Sequence, residues 1–463
     1  MTTPRGEVGS ATRLAGDLLG WVAHTVEGVH TAVSARTFRV LGQPAAPVRV
    51  VHDALTTLVY GSVRGGLHGA TRALAALADR HPATADGNHI TGSPPADRTL
   101  AAISGIFGDT VARDHPVLDS GLGWRHEGRE LPSTPEALAT AHPEASRDLV
   151  VFVHGLCESD RSWWYRGRAH RAAQQAAPDT TPDRPRSLGE HLADAHGITP
   201  LYLRYNTGAH ISESGQRLAD LLEETVAAWP TPVRSISLVG HSMGGLVLRS
   251  ACHQAVEAGR AWPHRARHLV YLGTPHLGAP LEKAVNLAGW ALRHAAETQP
   301  LSDLLARRSV GVKDLRFGYI VEEEWNGHDP HDLTSRHVEV PLLPWAQHHV
   351  VTATLTSHGE HPVGWALGDL MVRSASGAGR SRRRDIGFAD EVVTLGGRDH
   401  FDLLTDPEIV GLLLDRLDPT APIVARLPGP EASTEPPALS GYTLGAATTP
   451  STPSAPTSGP PTS

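Results

Sequence analysis

Apolar residues in the first 80 positions recur at three- and four-residue steps, the period of an amphipathic helix. Residues 7–80 read as two long helices separated by Gly42-Gln43-Pro44-Ala45-Ala46-Pro47. In the second, Val48, Val51, Leu55, Leu58, Val59, Val63, Leu67, Ala70, Leu74 and Leu77 keep the period. Gly61, Gly65 and Gly69 form a small-residue row on it, interrupted by Arg64 and His68. Such a row favours close packing within a helical hairpin. The competing reading is an amphipathic surface that lies on a membrane or covers the opening of the next domain. Residues 82–97 carry linker residues (Pro, Gly, Asn, Asp), and a short helix follows near 99–111.

Beyond that point the pattern changes to short apolar runs alternating with helical stretches. Gly123 to Leu131 reads as a first strand, and Ser133-Thr134-Pro135-Glu136 as a helix start. Leu149-Val150-Val151-Phe152-Val153 is a continuous apolar run, expected of a parallel strand buried on both faces. Further strands are expected at 200–205, 235–241, 268–272, 350–355 and 391–395. Helices are expected at 211–228, after 242, within 280–320 and at 407–417. From about Pro428 the chain is Pro, Ser, Thr and Gly, a composition that predicts a disordered, dispensable tail.

Composition narrows the function classes. With 40% hydrophobic and 19% charged residues the chain is globular, and a net charge of −8 gives no basic field for nucleic acid. The two cysteines, Cys157 and Cys252, make no disulfide framework and are read as reduced and packed. No run of about 20 apolar residues predicts a transmembrane helix. Met1-Thr2-Thr3-Pro4-Arg5-Gly6-Glu7 lacks the basic-then-apolar order of a secretory signal, so the expected location is cytoplasmic, with peripheral membrane contact through the N-terminal helices as the competing reading.

The candidate chemistry centres on Gly240-His241-Ser242-Met243-Gly244, a G-x-S-x-G at a strand-to-helix joint. A serine on so tight a turn has strained backbone angles and an exposed hydroxyl, and residues two before and two after must be small. Upstream, the 149–153 run leads into His154-Gly155-Leu156, where the glycine admits a ligand close to the backbone. Ser162-Trp163-Trp164-Tyr165 clusters aromatics beside this loop, as a pocket wall or as core. Among 28 histidines, His400 stands out in the loop after the last strand and before the C-terminal helix. His358 and His361 precede the best acid, and His348 and His349 adjoin a strand and are read as structural. The acid that orients the base is Asp369, with Asp402 and Glu360 as alternatives; Asp399 is too near His400 to orient its ring. His328, Asp329, His331 and Asp332 lack metal-site spacing, so no metal or other cofactor is expected.

Val151 to Leu156, Arg204-Tyr205-Asn206-Thr207-Gly208, Gly240 to Gly245, Gly273-Thr274-Pro275-His276-Leu277-Gly278-Ala279-Pro280, Gly368-Asp369 with Ser374-Ala375, and the His400 loop form a set. On these residues the chain from about 120 to 420 resembles bacterial α/β-hydrolases of the esterase/lipase type, related to triacylglycerol lipases and inositol-deacylase-like hydrolases. The resemblance implies an α/β-hydrolase fold with a mostly parallel central sheet and a helical cap insertion at about 279–320. The N-terminal helical hairpin and linker (1–96) would precede the hydrolase domain (97–427), with the tail at 428–463. It implies Ser242 as nucleophile, Asp369 as acid and His400 as base, with oxyanion N–H donors on Leu156 and Met243. His154, Gly155, Trp163 and His241 would line the substrate site, although His241 is also read as a packing residue beside the serine. The implied reaction is hydrolysis of an ester or lipid substrate. Acyl transfer by the same triad and a silent hydrolase-fold scaffold are the alternatives.

Overall fold

The computed structural model describes residues 4–80, 94–164, 186–279, 282–355 except 284, 287, 289–291, 331 and 333, then 372, 374–380, 385–388 and 392–421. Helix α1 (Pro4–Leu41) and helix α2 (Ala46–Arg80) pair as an antiparallel hairpin across the expected break. The close approach differs from the expectation. A Cβ at Gly61, Gly65 or Gly69 would meet nothing within 4 Å, so that row faces open space. The contact glycines are on α1: a Cβ at Gly16 would come 2.9 Å from Thr71 Cβ, and one at Gly20 would come 3.2 Å from His68 Cε1.

Helix α3 (Pro94–Asp114) starts inside the expected linker and kinks at Phe107. The expected first strand is a hairpin of β1 (Leu122–His126) and β2 (Arg129–Leu131). Glu127 and Gly128, at φ 50° and 78°, turn the chain between them. Two consecutive positive-φ residues give the turn whose twist matches antiparallel strands. Helix α4 (Pro135–Ala141) is capped by Thr134, whose hydroxyl accepts from Ala137 N at 3.3 Å.

There follow β3 (Asp148–Val153), α5 (Leu188–His196), β4 (Thr199–Tyr205), α6 (Ile211–Ala228), β5 (Ser235–His241), α7 (Met243–Glu257) and β6 (Ala266–Leu272). The described residues of 282–292 are helical, and short helices α8 (Gln299–Ala306) and α9 (Val310–Leu315) come next. Then come β7 (Gln347–Thr354), β8 (Val392–Gly396) and α10 (Pro407–Arg416).

The eight strands form one sheet in the order β2-β1-β4-β3-β5-β6-β7-β8, parallel from β4 to β8 with the β1–β2 hairpin antiparallel at one edge. Side-chain alternation sorts β3 into two cores. Leu149, Val151 and Val153 face α6 and α7, whereas Val150 and Phe152 face α5 and α10. The chain runs from β3 outward to β4, then returns across β3 to β5. The C-terminal ends of β3 and β5 thus meet at a topological switch point, where open α/β sheets bind ligands.

Candidate active site

Ser242 sits between β5 and α7 at φ 51° and ψ −121°, one of three described non-glycine residues with positive φ. A β-substituted residue reaches that conformation only where the surroundings impose it. The imposition is visible in the neighbours. A Cβ at Gly240 would lie 2.6 Å from Gly245 N, and one at Gly244 would collide with the Val153 carbonyl. The Ser242 N–H donates to Leu272 O at 2.8 Å, which pins the turn to the end of β6.

The loop after β3 lies directly against this turn. A Cβ at Gly155 would be 2.9 Å from Ser242 Cβ. Glu158 organises the loop: its carboxylate accepts from Gly155 N at 2.8 Å, and its own N–H donates to Gly155 O at 3.3 Å. Cys157 N donates to Thr207 Oγ1 at 3.3 Å. Among the described residues, neither Leu156 N–H nor Met243 N–H meets an acceptor. Both therefore have hydrogen-bonding capacity left at the joint, and Met243 opens α7, where the helix dipole favours negative charge.

His241 joins this loop to His400. Its Nδ1 lies 2.9 Å from Glu158 Oε1, and its Nε2 donates to the His400 carbonyl at 3.0 Å. Both ring nitrogens face acceptors, the arrangement of a doubly protonated ring beside a carboxylate. Burial alone would raise the Glu158 carboxyl, but the His241 charge, its hydrogen bond and the Gly155 N–H together hold it below its usual value. The His400 ring is buried, 4.7 Å from the His241 ring centroid to centroid, and rests on Gly273. A Cβ there would come 3.0 Å from His400 Cε1, and Gly273 at φ 61° follows Leu272, the acceptor of the Ser242 N–H.

The structure thus gathers Ser242, Leu156, Met243 and His400 at one end of the sheet. Asp369 and Glu360 lie outside the described residues, as do Tyr165 and His331. Asp399 and Asp402 take part in the turn around His400: Asp399 accepts from Phe401 N at 3.0 Å and Asp402 N at 2.9 Å, and Asp402 from Asp399 N at 3.0 Å. The side chains of His154, Trp163 and His241 are fully buried. Trp163 packs on Phe152 at 4.9 Å, in the core and not along an opening. His154 Nδ1 donates to Gly155 O at 3.0 Å and its ring stacks on Tyr205 at 4.6 Å, so it shapes the loop; burial lowers its basicity. Cys157 is held as a thiol, its pKa pushed up to about 11 by burial and then by Glu158. Among the described residues no group of three metal-ligating side chains occurs.

Glu158 is the residue that sequence reasoning missed. A carboxylate three positions after Gly155 was its local signal, but its meeting with His241, 83 residues on, is tertiary. Helix α3 was also undervalued, since it roofs the loop. A Cβ at Gly105 would lie 2.9 Å from Cys157 N, and Asp97 accepts from Ser159 Oγ at 2.9 Å and pairs with Arg204.

Residues 143–317 match the family described as "Putative serine esterase (DUF676)". No curated protein matches the chain. Similar solved structures include a gene product of Listeria innocua (13% identity, 60% of this chain and 96% of that one, TM-score 0.32). A lipase-esterase related protein of Clostridium acetobutylicum shares 12% identity over 59% of this chain and 93% of that one, at TM-score 0.30. Lipase B of Aspergillus fumigatus shares 11% over 62% and 58%, at TM-score 0.34. The matched segment spans β3 to β6 and α9, so this part of the mostly parallel sheet is what the chain shares with that esterase family.

Proposed function

We propose that the protein hydrolyses carboxylic esters through an acyl-enzyme on Ser242. The observation that carries this reading is the strained Ser242 turn, with the N–H groups of Leu156 and Met243 left without acceptors beside it. His400 takes the Ser242 proton as the hydroxyl attacks the acyl carbonyl. The Leu156 and Met243 N–H groups hold the tetrahedral oxyanion. Collapse expels the alcohol, which receives its proton from His400. Water, deprotonated by His400, then attacks the acyl-enzyme and releases the acid. Asp369 is assigned the orienting carboxylate from the chain order Ser, acid, His.

The test is turnover of p-nitrophenyl esters from acetate to palmitate. Ser242→Ala is expected to lower kcat on the order of 10⁴-fold or more. Turnover that survives in Ser242→Ala would sink the assignment, as would a folded protein that neither turns over any ester nor reacts at Ser242 with a fluorophosphonate. His400→Ala and Asp369→Asn should each reduce turnover without unfolding the protein.

A further inference from the structure

Sixteen of the twenty large apolar side chains recorded as exposed among the described residues lie on α1 and α2. On α1, Leu19, Val26, Val33 and Val40 repeat every seven residues along one outward stripe. The exposure peaks at the hairpin tip, where Val40 is 82% and Val50 69% exposed. Residues 28–52, which contain the tip, carry Arg36, Arg39 and Arg49 and no Asp or Glu, in a chain whose net charge is −8. Arg36 reaches Glu297 at 3.0 Å and Arg49 reaches Asp53 at 3.4 Å, both pairs of the kind that contributes little, and Arg39 shares the field of the same Glu297.

We infer that the α1–α2 hairpin docks, tip first, on an anionic lipid surface. Apolar side chains flanked by arginines are the pattern of a helix seated at the headgroup level, with its stripe in the acyl boundary and its guanidinium groups on phosphate. Three arginines against Glu297 and Asp53 leave the tip with a net positive charge, which complements lipid phosphate. The hairpin lies on the surface and does not span it, since no described helix is long and apolar enough to cross a membrane. Open space beside Gly61, Gly65 and Gly69 leaves the outer face of α2 free to approach the bilayer. The hairpin is fixed to α8 and the residue that follows it, within the 279–320 span read as the cap insertion. A Cβ at Gly28 would come 2.7 Å from Pro300 Cγ, and Arg307 lies over the Trp21 ring at 5.0 Å. Docking would set residues 297–307 beside the bilayer, and so, on the esterase reading above, deliver the enzyme to lipid esters.

The experiment is co-sedimentation of the full chain carrying Ser242→Ala, which separates binding from turnover. Vesicles of equal parts phosphatidylglycerol and phosphatidylcholine are compared with pure phosphatidylcholine at low and high salt. Binding to the anionic vesicles that weakens with salt is expected. The triple variant Arg36→Gln/Arg39→Gln/Arg49→Gln should lose about a hundredfold in partition coefficient. Val40→Asp/Leu41→Asp should abolish binding, with helix content by circular dichroism unchanged. Placed on the Ser242 protein, these variants should leave hydrolysis of soluble p-nitrophenyl acetate unaltered. Absence of binding to anionic vesicles, equal binding by the variants, or a dimer in light scattering that Val40→Asp/Leu41→Asp dissociates would overturn the proposal. A protein that docks but hydrolyses nothing would leave it standing and remove only the esterase reading.

Discussion

At the scale of single residues, Glu158 has the most consequences. Its one carboxylate holds Gly155 N–H and His241, and His241 holds the His400 carbonyl. Removing one member of a buried charged pair strands the other, at a cost of about 3–5 kcal/mol. Glu158→Ala is therefore expected to lower stability by that order and to slow fluorophosphonate labelling of Ser242. Glu158→Gln keeps the shape but cannot neutralise His241. It should lower kcat by roughly tenfold to a hundredfold with KM little changed, the signature of displaced groups that act in the transition state. Equal kcat in wild type and Glu158→Gln would show that the link does not position the site. The strained turn at Ser242 and the place of His400 in the loop after the last strand were legible in the sequence, the first because a tight turn needs flanking glycines. Glu158 was not, since nothing local distinguishes a loop carboxylate that meets His241 from one that meets water.

At the scale of elements, the glycines separate two kinds of helix contact. Gly105 and Gly108 bring α3 onto the loops after β3 and β4, and a Cβ at Gly108 would lie 2.9 Å from Gly208 Cα. Gly61 faces open space. Gly105→Ala is thus expected to destabilise by about 1–3 kcal/mol through overpacking against backbone, and to reduce turnover by moving the Cys157 loop. Gly61→Ala should instead stabilise by about 0.5–1 kcal/mol, because alanine is the better helix former where nothing is crowded. Chemical denaturation of the two variants checks the opposite signs; equal signs would contradict the packing described here. The helix periods of α1, α2 and α6 and the apolar runs of β3 and β5 were plain in the sequence. The sequence did not show which glycine row makes contact, since both rows have helical spacing and only packing chooses the inner face.

At the scale of the whole molecule, acid sensitivity follows from buried neutral histidines. His348 Nε2 donates to Leu343 O at 3.1 Å, while Nδ1 lies 3.1 Å from Tyr271 Oη, whose hydroxyl can donate to it. Burial lowers its pKa to about 4. His268, 3.2 Å from His349, is lowered to about 3, by burial first and then by His349 and Arg267. The unfolded chain binds these protons near pH 6.5 and the folded chain does not. Stability contributed by the neutral rings is complete above pH 6.5 and falls as pH drops toward 4, by about 1 kcal/mol per histidine at pH 5.5. Glu158, held low, adds its own loss at more acidic pH, below its unfolded value. Tm by calorimetry should decline as pH falls from 6.5 to 4, and His348→Gln should flatten part of that decline. A Tm independent of pH over this range would contradict the buried neutral state.

The sequence by itself determined the local pieces: the helical hairpin with its break at Gly42, the strand runs, the strained serine and the histidine in the last loop. Each depends on steric and hydrophobic rules acting over a few residues, so each can be read from the chain. The tertiary structure decided what those pieces meet. It turned the first strand into an antiparallel edge hairpin, placed β3 between β4 and β5, buried Trp163, and drew Glu158, His241 and His400 into one chain of contacts. Those outcomes join residues that are scores of positions apart. Only the order of strands in the sheet and the packing of α3 over the loop after β3 fix such distances, and neither is encoded in any short stretch.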